Sequence, residues 1–219
     1  MRALIFDFDG LLMDTETTLL ESWRWAYRQH GLELDPAGFF ADHGGDANEP
    51  RYAALAAAVG AGFDRDGSHR RRQAYRLTLN AALTPAPGVV AWLDRAAELG
   101  LRLAVASSSP RPHVASMLTQ AGLLDRFETL ATGDEVAAHK PDPAVYRLAL
   151  ERLGVPAATA LAFEDTPHGV AAAHAAGLRC VAVPNPHADR SRFGAADLLL
   201  TSAADITVDE LLTRLDPAT

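Results

Sequence analysis

The chain has 219 residues, of which 48% are hydrophobic and 22% are charged, and its net charge is −8. This length can bury a sizeable core in one large domain, or in one domain with a smaller partner. The acidic balance argues against a general binder of nucleic acids or anionic membranes. A single cysteine excludes an internal disulfide and a multi-thiolate metal site. No apolar run is long enough for a transmembrane helix and no signal peptide is recognisable, so we expect a soluble cytoplasmic protein.

A short strand is predicted at Ala3–Phe6, because this segment is apolar on both faces, as buried strands of parallel sheets are. Asp7-Phe8-Asp9-Gly10 follows it directly. Side chains alternate along an extended segment, so the two carboxylates are expected on one side of the chain. Two carboxylates so close repel each other unless a cation or a shared proton lies between them. The tetrapeptide alone fits a surface turn equally well.

A helical region is predicted from Asp14-Thr15-Glu16 to about Leu83, since apolar residues recur at helical spacing and no strand pattern interrupts them. Thr84-Pro85-Ala86-Pro87-Gly88 then interrupts the pattern, as a hinge would. We therefore place a helical domain at residues 15–83 and a second domain at residues 1–14 and 84–219.

From Gly88 onward, predicted helices alternate with predicted strands. The strands are placed at residues 101–106, 127–131, 160–163 and 178–183, with a short edge strand at 198–200. Such alternation predicts βαβ units and a parallel sheet. The expected fold class is therefore α/β, a doubly wound parallel-sheet, Rossmann-like core with an inserted all-helical cap domain.

Four polar clusters each follow a predicted strand: Asp7/Asp9, Ser107-Ser108-Ser109, Lys140 and Glu164-Asp165. Because ligands of open parallel sheets bind at the carboxyl ends of the strands, we expect the four clusters to converge on one site. Lys140 is the one lysine among 20 basic residues. It points to a position where a compact charge is needed in place of the planar guanidinium of arginine.

These groups suit phosphoryl transfer. Three carboxylates without cysteine ligands offer the hard oxygen atoms that Mg²⁺ prefers. A serine hydroxyl, backbone N–H groups and a lysine provide donors for phosphate oxygens. A carboxylate beside them can attack phosphorus and form an aspartyl phosphate, while a second can protonate the leaving oxygen and then deprotonate a water.

Four segments resemble, in order, the signature motifs of the haloacid dehalogenase superfamily. They are Asp7-Phe8-Asp9-Gly10 with Asp14-Thr15-Glu16, Ala106-Ser107-Ser108, Lys140-Pro141-Asp142-Pro143, and Glu164-Asp165-Thr166-Pro167-His168-Gly169. The chain is similar to the helical-cap subgroup, which includes β-phosphoglucomutase-like sugar-phosphate phosphatases. The resemblance implies a Mg²⁺-dependent phosphatase that hydrolyses a small phosphorylated metabolite, a sugar phosphate or similar compound, through an aspartyl phosphate.

The resemblance implies, by position, that Asp7 is the nucleophile and Asp9 the general acid and base. It implies that Ser107 and Lys140 bind the phosphate group of the substrate, and we include the adjacent Ser108 in the predicted phosphate-binding set. Dehalogenases lack the second acid, so Asp9 favours phosphate chemistry. Phosphonate-cleaving relatives use a lysine of the cap, and residues 15–83 contain none.

The Mg²⁺ ligands implied by the resemblance are Asp7, the backbone carbonyl of Asp9, and Asp165. Glu164 is expected to be a direct or a water-mediated neighbour of the ion. We predict no other cofactor. Expected partners are limited to the phosphorylated metabolite, without nucleic acid or membrane, and the expected oligomeric state is a monomer or a weak homodimer.

Two alternative functions stay open, a β-phosphoglucomutase-type phosphomutase and a non-catalytic module that binds a phosphometabolite. Mutases of this type carry a His where this chain has Leu19, and an Arg in a cap loop. The matching loop, residues 43–48, has no Arg, although Arg51 is close by. Both departures favour hydrolysis.

Substrate choice is expected to depend on the helical domain acting as a lid that limits the access of bulk solvent. The candidate residues for recognition of substrate hydroxyl groups are His43, Asp46 and Asn48. An ordinary polar loop explains the same residues equally well.

Overall fold

The structure is a computed structural model that describes residues 1–37, 39–40, 48–186 and 188–215. The chain divides into two compact units. One comprises Met1–Asp14 and Thr84–Thr219 and is called the α/β unit, and the other, Thr15–Leu83, is called the helical unit. Within the described residues, none of the helices has both the length and the apolar character needed to cross a bilayer.

The strands of the α/β unit form one sheet. Their bounds are β1 Ala3–Phe6, β2 Arg102–Ala106, β3 Thr129–Ala131, β4 Ala160–Glu164, β5 Arg179–Ala182 and β6 Leu198–Leu199. Every neighbouring pair is parallel, and the spatial order is β3-β2-β1-β4-β5-β6. The predicted α/β class with a parallel sheet is thus confirmed, with β6 at the edge. Since the strand order reverses beside β1, the crevice for a ligand is expected at the carboxyl ends of β1 and β4.

The helices alternate with these strands or lie in the inserted unit. In chain order they are α1 Thr15–Arg28, α2 Asn48–Val59, α3 Arg65–Asn80, α4 Val89–Glu98, α5 Arg111–Gln120, α6 Ala144–Leu153, α7 Pro167–Ala175 and α8 Val208–Arg214. The first three lie in the helical unit, whose described residues contain no strand, so the predicted all-helical insertion is confirmed as part of the fold class.

Strand β3 is shorter than predicted. Residues Leu124–Arg126 form a short 3₁₀ turn, and Phe127 follows that turn with its backbone N–H donating to the carbonyl of Leu124. The N–H of Glu128 donates to the carbonyl of Leu103 at 2.9 Å, and the paired register with β2 runs from Thr129, opposite Ala104. Phe127 is buried in the core although it is not part of the strand. An apolar residue in the sequence indicates burial, and the apolar pattern alone does not distinguish burial from strand pairing.

The two faces of the sheet are packed differently. The face toward α6 and α7 is lined mostly by small side chains, with Ile5 the larger exception; the small ones are Ala3, Ala104, Ala106, Ala131, Ala160, Ala162, Cys180 and Ala182. Small strand residues let helices approach closely. On the other face Phe6 stacks on Phe163 with ring centroids 4.6 Å apart, and Trp92 of α4 packs against Phe163 at 4.8 Å. Trp92 Nε1 also donates a hydrogen bond to the carbonyl of Ile206 at 2.8 Å.

The chain leaves and re-enters the α/β unit along two neighbouring segments. Gly10 has a φ of 81°, which favours glycine, and its N–H donates to the carbonyl of Met13 at 2.9 Å. Met13 forms an antiparallel bridge with Pro85, and the N–H of Ala86 donates to the carbonyl of Leu12 at 2.9 Å. These bonds fix the loop that follows β1, and with it the position of Asp9.

The helical unit is organised around buried aromatic side chains and one buried arginine. Trp23 and Tyr52 lie with ring centroids 4.6 Å apart. Arg72 is fully buried, its guanidinium lies 4.2 Å from the ring centroid of Trp23, and it donates to the hydroxyl of Tyr52 at 2.8 Å. A charge without water contact is stabilised by such hydrogen bonds and ring contacts, so Arg72 has a structural role in this unit.

Candidate active site

Sheet register brings the first and last of the predicted clusters together. Phe6 of β1 lies opposite Phe163 of β4, and the N–H of Asp7 donates to the carbonyl of Phe163 at 2.9 Å. Glu164 is the last residue of β4. Asp7 and Glu164 therefore leave neighbouring strands at the same edge of the sheet, at the position where the strand order reverses.

Lys140 joins these two carboxylates. It lies in the loop between β3 and α6, and its side chain is only 5% exposed. Its Nζ donates to Oδ1 of Asp7 and, at 2.5 Å, to Oε1 of Glu164. The three predicted residues are thus brought into direct contact, although Asp7 lies 133 positions before Lys140 and Glu164 lies 24 positions after it.

The buried charges shift each other's pKa values. Burial raises the pKa of Asp7, and repulsion by Glu164 adds to this, while the ammonium of Lys140 acts in the opposite direction. Burial alone would lower the pKa of Lys140, but the attraction of Asp7 and Glu164 outweighs it and raises that pKa above its ordinary value. Lys140 is therefore held in its charged form.

Glu164 is held by four hydrogen-bond donors. Besides Lys140, the hydroxyl of Tyr146 on α6 donates to its Oε1 at 2.6 Å. Its Oε2 accepts from the N–H of Asp165 at 3.2 Å and from the hydroxyl of Thr166 at 3.3 Å. The same Thr166 caps α7, its side chain accepting from the N–H of Gly169 at 3.0 Å. A fully buried carboxylate with this many donors is held in one orientation.

Gly169 makes room for this carboxylate. A Cβ atom at position 169 would lie 1.9 Å from Cδ of Glu164, closer than any side-chain carbon can approach. The glycine in Glu164-Asp165-Thr166-Pro167-His168-Gly169 is therefore required by the close approach of α7 to Glu164.

The donor set of this cluster fits a divalent cation. One carboxylate oxygen from each of Asp7, Glu164 and Asp165 lies within 4.8 Å of the others, and all three residues are buried. The cluster contains three carboxylates and one ammonium, that of Lys140, which contacts Asp7 and Glu164, so it carries surplus negative charge if all are ionised. Hard oxygen ligands with surplus negative charge match Mg²⁺, which binds a few carboxylates and keeps several waters.

Asp9 has different partners from Asp7. The hydroxyl of Ser109 donates to Oδ2 of Asp9 at 2.6 Å. Nε2 of His113, in the first turn of α5, lies 3.2 Å from Oδ1 of Asp9. The two aspartates of the first motif are thus held by separate groups, one by a cation and the other by a hydroxyl and an imidazole.

The predicted phosphate-binding serines lie at the end of β2. Ser107 is buried, and its Oγ accepts a hydrogen bond from the N–H of Ser109 at 3.0 Å. Because this hydroxyl accepts, its own proton stays available for donation to a phosphate oxygen. Ser108 is half-buried, and its carbonyl oxygen would lie 2.0 Å from a Cβ atom at Gly133. The loop after β3 thus packs closely against the serine stretch.

Of the candidates for substrate recognition, His43 and Asp46 lie outside the described residues. Asn48 is the first residue of α2, and its Oδ1 accepts from Nη2 of Arg72 at 2.5 Å. This bond gives Asn48 a structural role within the helical unit. A role in binding substrate stays a prediction.

Sequence reasoning missed three side chains that contact the site: Tyr146, Ser109 and His113. Tyr146 lies on the apolar face of its helix, where a phenol ring is expected to pack in the core. Its hydroxyl reaches Glu164 only because α6 packs on β1 and β2 beside β4. Ser109 stood in the predicted cluster without a role, and because α5 begins only at Arg111, helical spacing does not link Ser109 to His113.

Comparison with known proteins places the chain in a family. The family model described as haloacid dehalogenase-like hydrolase matches residues 4–183, which include all four motifs. The chain belongs to this family. The predicted resemblance is confirmed, and with it the expectation that the protein is a hydrolase.

Similar proteins cover nearly the whole chain. Protein CbbY of Rhodobacter capsulatus is 36% identical over 229 residues, covering 96% of this chain and 99% of its own. Hexitol phosphatase B of Escherichia coli is 32% identical over 222 residues, covering 96% of each chain. Over this length the family relation extends to both units of the structure.

A solved structure of CbbY from Rhodobacter sphaeroides in complex with phosphate has a TM-score of 0.75 and 31% identity. It covers 96% of this chain and 99% of its own. A mutant of the same protein was solved with xylulose-1,5-bisphosphate, with a TM-score of 0.74. The fold of this chain is therefore shared with a relative that binds phosphate and a sugar bisphosphate.

Proposed function

We propose that this protein is a Mg²⁺-dependent phosphatase that hydrolyses a small phosphorylated metabolite, of the sugar-phosphate class, through an aspartyl phosphate. The predicted enzyme class, a phosphoric monoester hydrolase, is confirmed by the family and by relatives that are named phosphatases. We propose in addition that the enzyme requires Mg²⁺, forms an aspartyl phosphate and acts on sugar phosphates or similar compounds.

The observation that carries the proposal is the buried contact of Lys140 with both Asp7 and Glu164. Removing an ion pair from water is costly unless good geometry and further hydrogen bonds offset the cost, and here two carboxylates share one ammonium. The arrangement supplies a nucleophile, a metal ligand and a cation for phosphate oxygens within one cluster. A purely structural salt bridge does not need the additional carboxylate of Asp165 beside it.

In the proposed reaction Asp7 attacks phosphorus, forming a bond from its carboxylate oxygen while the bond to the substrate's alcohol oxygen breaks. Asp9 gives its proton to that leaving oxygen. Asp9 then takes a proton from a water that attacks the phosphorus, and the bond to Asp7 breaks to release phosphate. Lys140 and Ser107 bind the phosphate oxygens as negative charge builds on them.

Asp7, Asp165, the carbonyl of Asp9 and Glu164 are the residues that would hold Mg²⁺. When bound, the ion neutralises charge on the phosphate and on the attacking carboxylate. Glu164 already accepts bonds from Lys140 and Tyr146, so we propose that it orients Lys140 as well as contributing to the ion's surroundings.

A phosphomutase is less well supported. The mutases that this family includes carry a His where this chain has Leu19, and Leu19 is 2% exposed within the apolar cluster of the helical unit. A leucine that packs in a core offers no group for proton transfer. A mutase would need a bisphosphate activator and would interconvert isomers without releasing phosphate.

The nucleophile assignment is tested by phosphate release from 4-nitrophenyl phosphate and from a panel of sugar phosphates, with Mg²⁺ and with EDTA. We expect Asp7→Asn to lower turnover by on the order of 10³-fold or more, because the amide is a poor nucleophile. Asp94→Asn, an exposed carboxylate on α4 paired with Arg126, is the matched control and should retain full activity. Turnover that survives Asp7→Asn, or that is unaffected by EDTA, contradicts the proposal.

The expectations about partners, location and oligomeric state rest on the sequence. A small phosphorylated metabolite as partner is consistent with the ligands named for the CbbY structures. The cytoplasmic location, the lack of nucleic-acid partners and the monomer or weak homodimer stay predictions.

A further inference from the structure

We propose that Ser109 and His113 are positioning residues that hold the carboxyl group of Asp9 in the orientation from which it protonates the leaving oxygen. This inference rests on the proposed function, since it takes Asp9 as the general acid. It adds two residues outside the motif positions to the machinery of the reaction.

Both oxygen atoms of the Asp9 carboxyl group are in contact with these side chains. Ser109 Oγ donates to Oδ2 at 2.6 Å, and His113 Nε2 lies 3.2 Å from Oδ1. Rotation of the carboxyl group about its Cβ–Cγ bond would break both contacts. A proton donor kept in one orientation avoids much of the entropy cost of reaching the transition state, so the contacts matter for rate as well as for structure.

The two positioning side chains are themselves fixed. The N–H of Ser109 donates to Oγ of Ser107 at 3.0 Å, and its carbonyl accepts from the N–H of Gly133 at 3.0 Å. The imidazole of His113 meets the ring of Phe8 edge-on, with centroids 5.8 Å apart and an interplanar angle of 86°. Phe8 is fully buried between the two aspartates of its motif. The core thus orients His113, and His113 contacts Asp9.

The chemistry of these partners suits a group that alternates between acid and base. A hydroxyl can donate to a carboxylate or accept from a carboxylic acid, and a neutral imidazole has one donor and one acceptor nitrogen. An ammonium such as that of Lys140 favours only the ionised carboxylate. The structure therefore gives a cation to the proposed nucleophile and two adaptable partners to the proposed acid and base.

The effect of a misplaced Asp9 on the rate should depend on the leaving group of the substrate. An alkoxide leaves poorly unless it is protonated, whereas 4-nitrophenolate is a stable anion and leaves with little help. The ratio kcat/KM includes only the steps up to departure of the alcohol, so it does not include hydrolysis of the aspartyl phosphate. A defect in the orientation of Asp9 therefore lowers kcat/KM for a sugar phosphate much more than for 4-nitrophenyl phosphate.

The test compares His113→Leu and Ser109→Ala with the parent on 4-nitrophenyl phosphate and on the sugar phosphate that the parent hydrolyses fastest. We expect kcat/KM to fall by about 10- to 100-fold on the sugar phosphate, part of the rate that general acid catalysis supplies, and by less than about threefold on the aryl phosphate. His113→Gln retains a side-chain N–H donor and should restore most of the loss. Ser109→Ala removes only one oxygen atom. If His113→Leu unfolds near the assay temperature, the comparison of kcat/KM on the two substrates is made with Ser109→Ala.

The matched control is His174→Leu. His174 Nε2 lies 2.9 Å from Oδ2 of Asp197, a pair of the same kind outside the site, and its loss should leave both values of kcat/KM unchanged. Equal losses on the two substrates, or no loss with either variant, would overturn the inference. A parent enzyme whose activity does not require Asp7 would instead contradict the proposed function, so the two failures are distinguishable.

Discussion

At the scale of single residues, Lys140 links two carboxylates of the candidate site. It contacts Asp7 and Glu164, and its Nζ lies 5.0 Å from the ring centroid of Tyr146. A compact ammonium fits between two carboxylates in this space, whereas the planar fork of an arginine would require a wider gap. The one lysine in a chain with 19 arginines therefore has a physical explanation.

Tyr146→Phe tests whether the orientation of Glu164 matters. The change removes the hydroxyl that donates to Oε1 of Glu164 at 2.6 Å between two fully buried residues. Because we propose Glu164 as a metal ligand, we expect activity to fall by about 10-fold, as it does when groups that orient metal ligands are lost. The free energy of unfolding should fall by about 1.5–3 kcal/mol, the contribution of a hydrogen bond to a charged group.

Steady-state kinetics and urea unfolding measure these two effects. Tyr75→Phe, a half-buried tyrosine of α3 whose ring stacks on Trp25, is the matched control and should alter neither value appreciably. Unchanged activity in Tyr146→Phe would show that Lys140 and the donors to Oε2 suffice to orient Glu164.

At the scale of elements, Glu135 ties the end of β3 to two helices. Its carboxylate accepts from Arg152 of α6 at 2.8 Å, from the hydroxyl of Thr132 at 2.7 Å, and from Arg111 of α5 at 3.2 Å. The bond with Arg152 is the largest of the causes that lower the pKa of Glu135 to about 2, with Thr132 and Arg111 adding to it against partial burial. Glu135 thus anchors α5, which carries His113, beside the loop that leads to Lys140.

Glu135→Gln should therefore destabilise the protein in a pH-dependent way. A carboxyl with a lowered folded-state pKa contributes stability above its unfolded value, roughly 4.3, and loses it as the pH falls toward the folded value. At pH 7 we expect the melting temperature to fall by about 2–4 °C, the change that corresponds to about 1 kcal/mol in a chain of this size. The difference between variant and parent should shrink as the pH falls below roughly 4.3.

Melting curves of both proteins between neutral and acidic pH provide the measurement. Glu151→Gln, an exposed glutamate on the same helix as Arg152, is the control and should show a smaller effect at pH 7. A difference between Glu135→Gln and the parent that grows on acidification would contradict the assignment.

At the scale of the whole molecule, metal binding is expected to stabilise the fold. A cation that binds only the folded cluster of Asp7, Glu164 and Asp165 adds about 2.7 kcal/mol at a concentration 100 times its dissociation constant. We expect Mg²⁺ to raise the melting temperature of the parent and EDTA to reverse the change. Asp165→Asn should abolish most of the shift, since it removes one of the three charges.

Differential scanning fluorimetry with a sodium chloride control at equal ionic strength measures the shift without relying on activity. Asp94→Asn removes an exposed carboxylate and should retain the full response to Mg²⁺. An identical shift in Asp165→Asn would place the cation elsewhere.

The sequence by itself determined the class of the fold and the motif residues. Apolar runs that end on acidic residues or serines indicate buried strands with functional groups at their carboxyl ends. Parallel sheets bring such ends together. Asp7, Lys140 and Glu164 are brought into contact as that rule requires. Helical spacing from Thr15 to Leu83 likewise marked the insertion, because amphipathic periodicity is a local property.

Only the tertiary structure decided which side chains support those motif residues. Tyr146 and His113 are ordinary residues of their helices, and their contacts depend on how those helices pack on the sheet. Ser109 contacts Asp9 because the segments that follow β2 and β1 lie side by side. The close approach that makes Gly169 necessary is likewise set by packing of α7 against Glu164. Local pattern specifies elements and their ends, whereas contacts between distant elements arise from packing, which no single segment encodes.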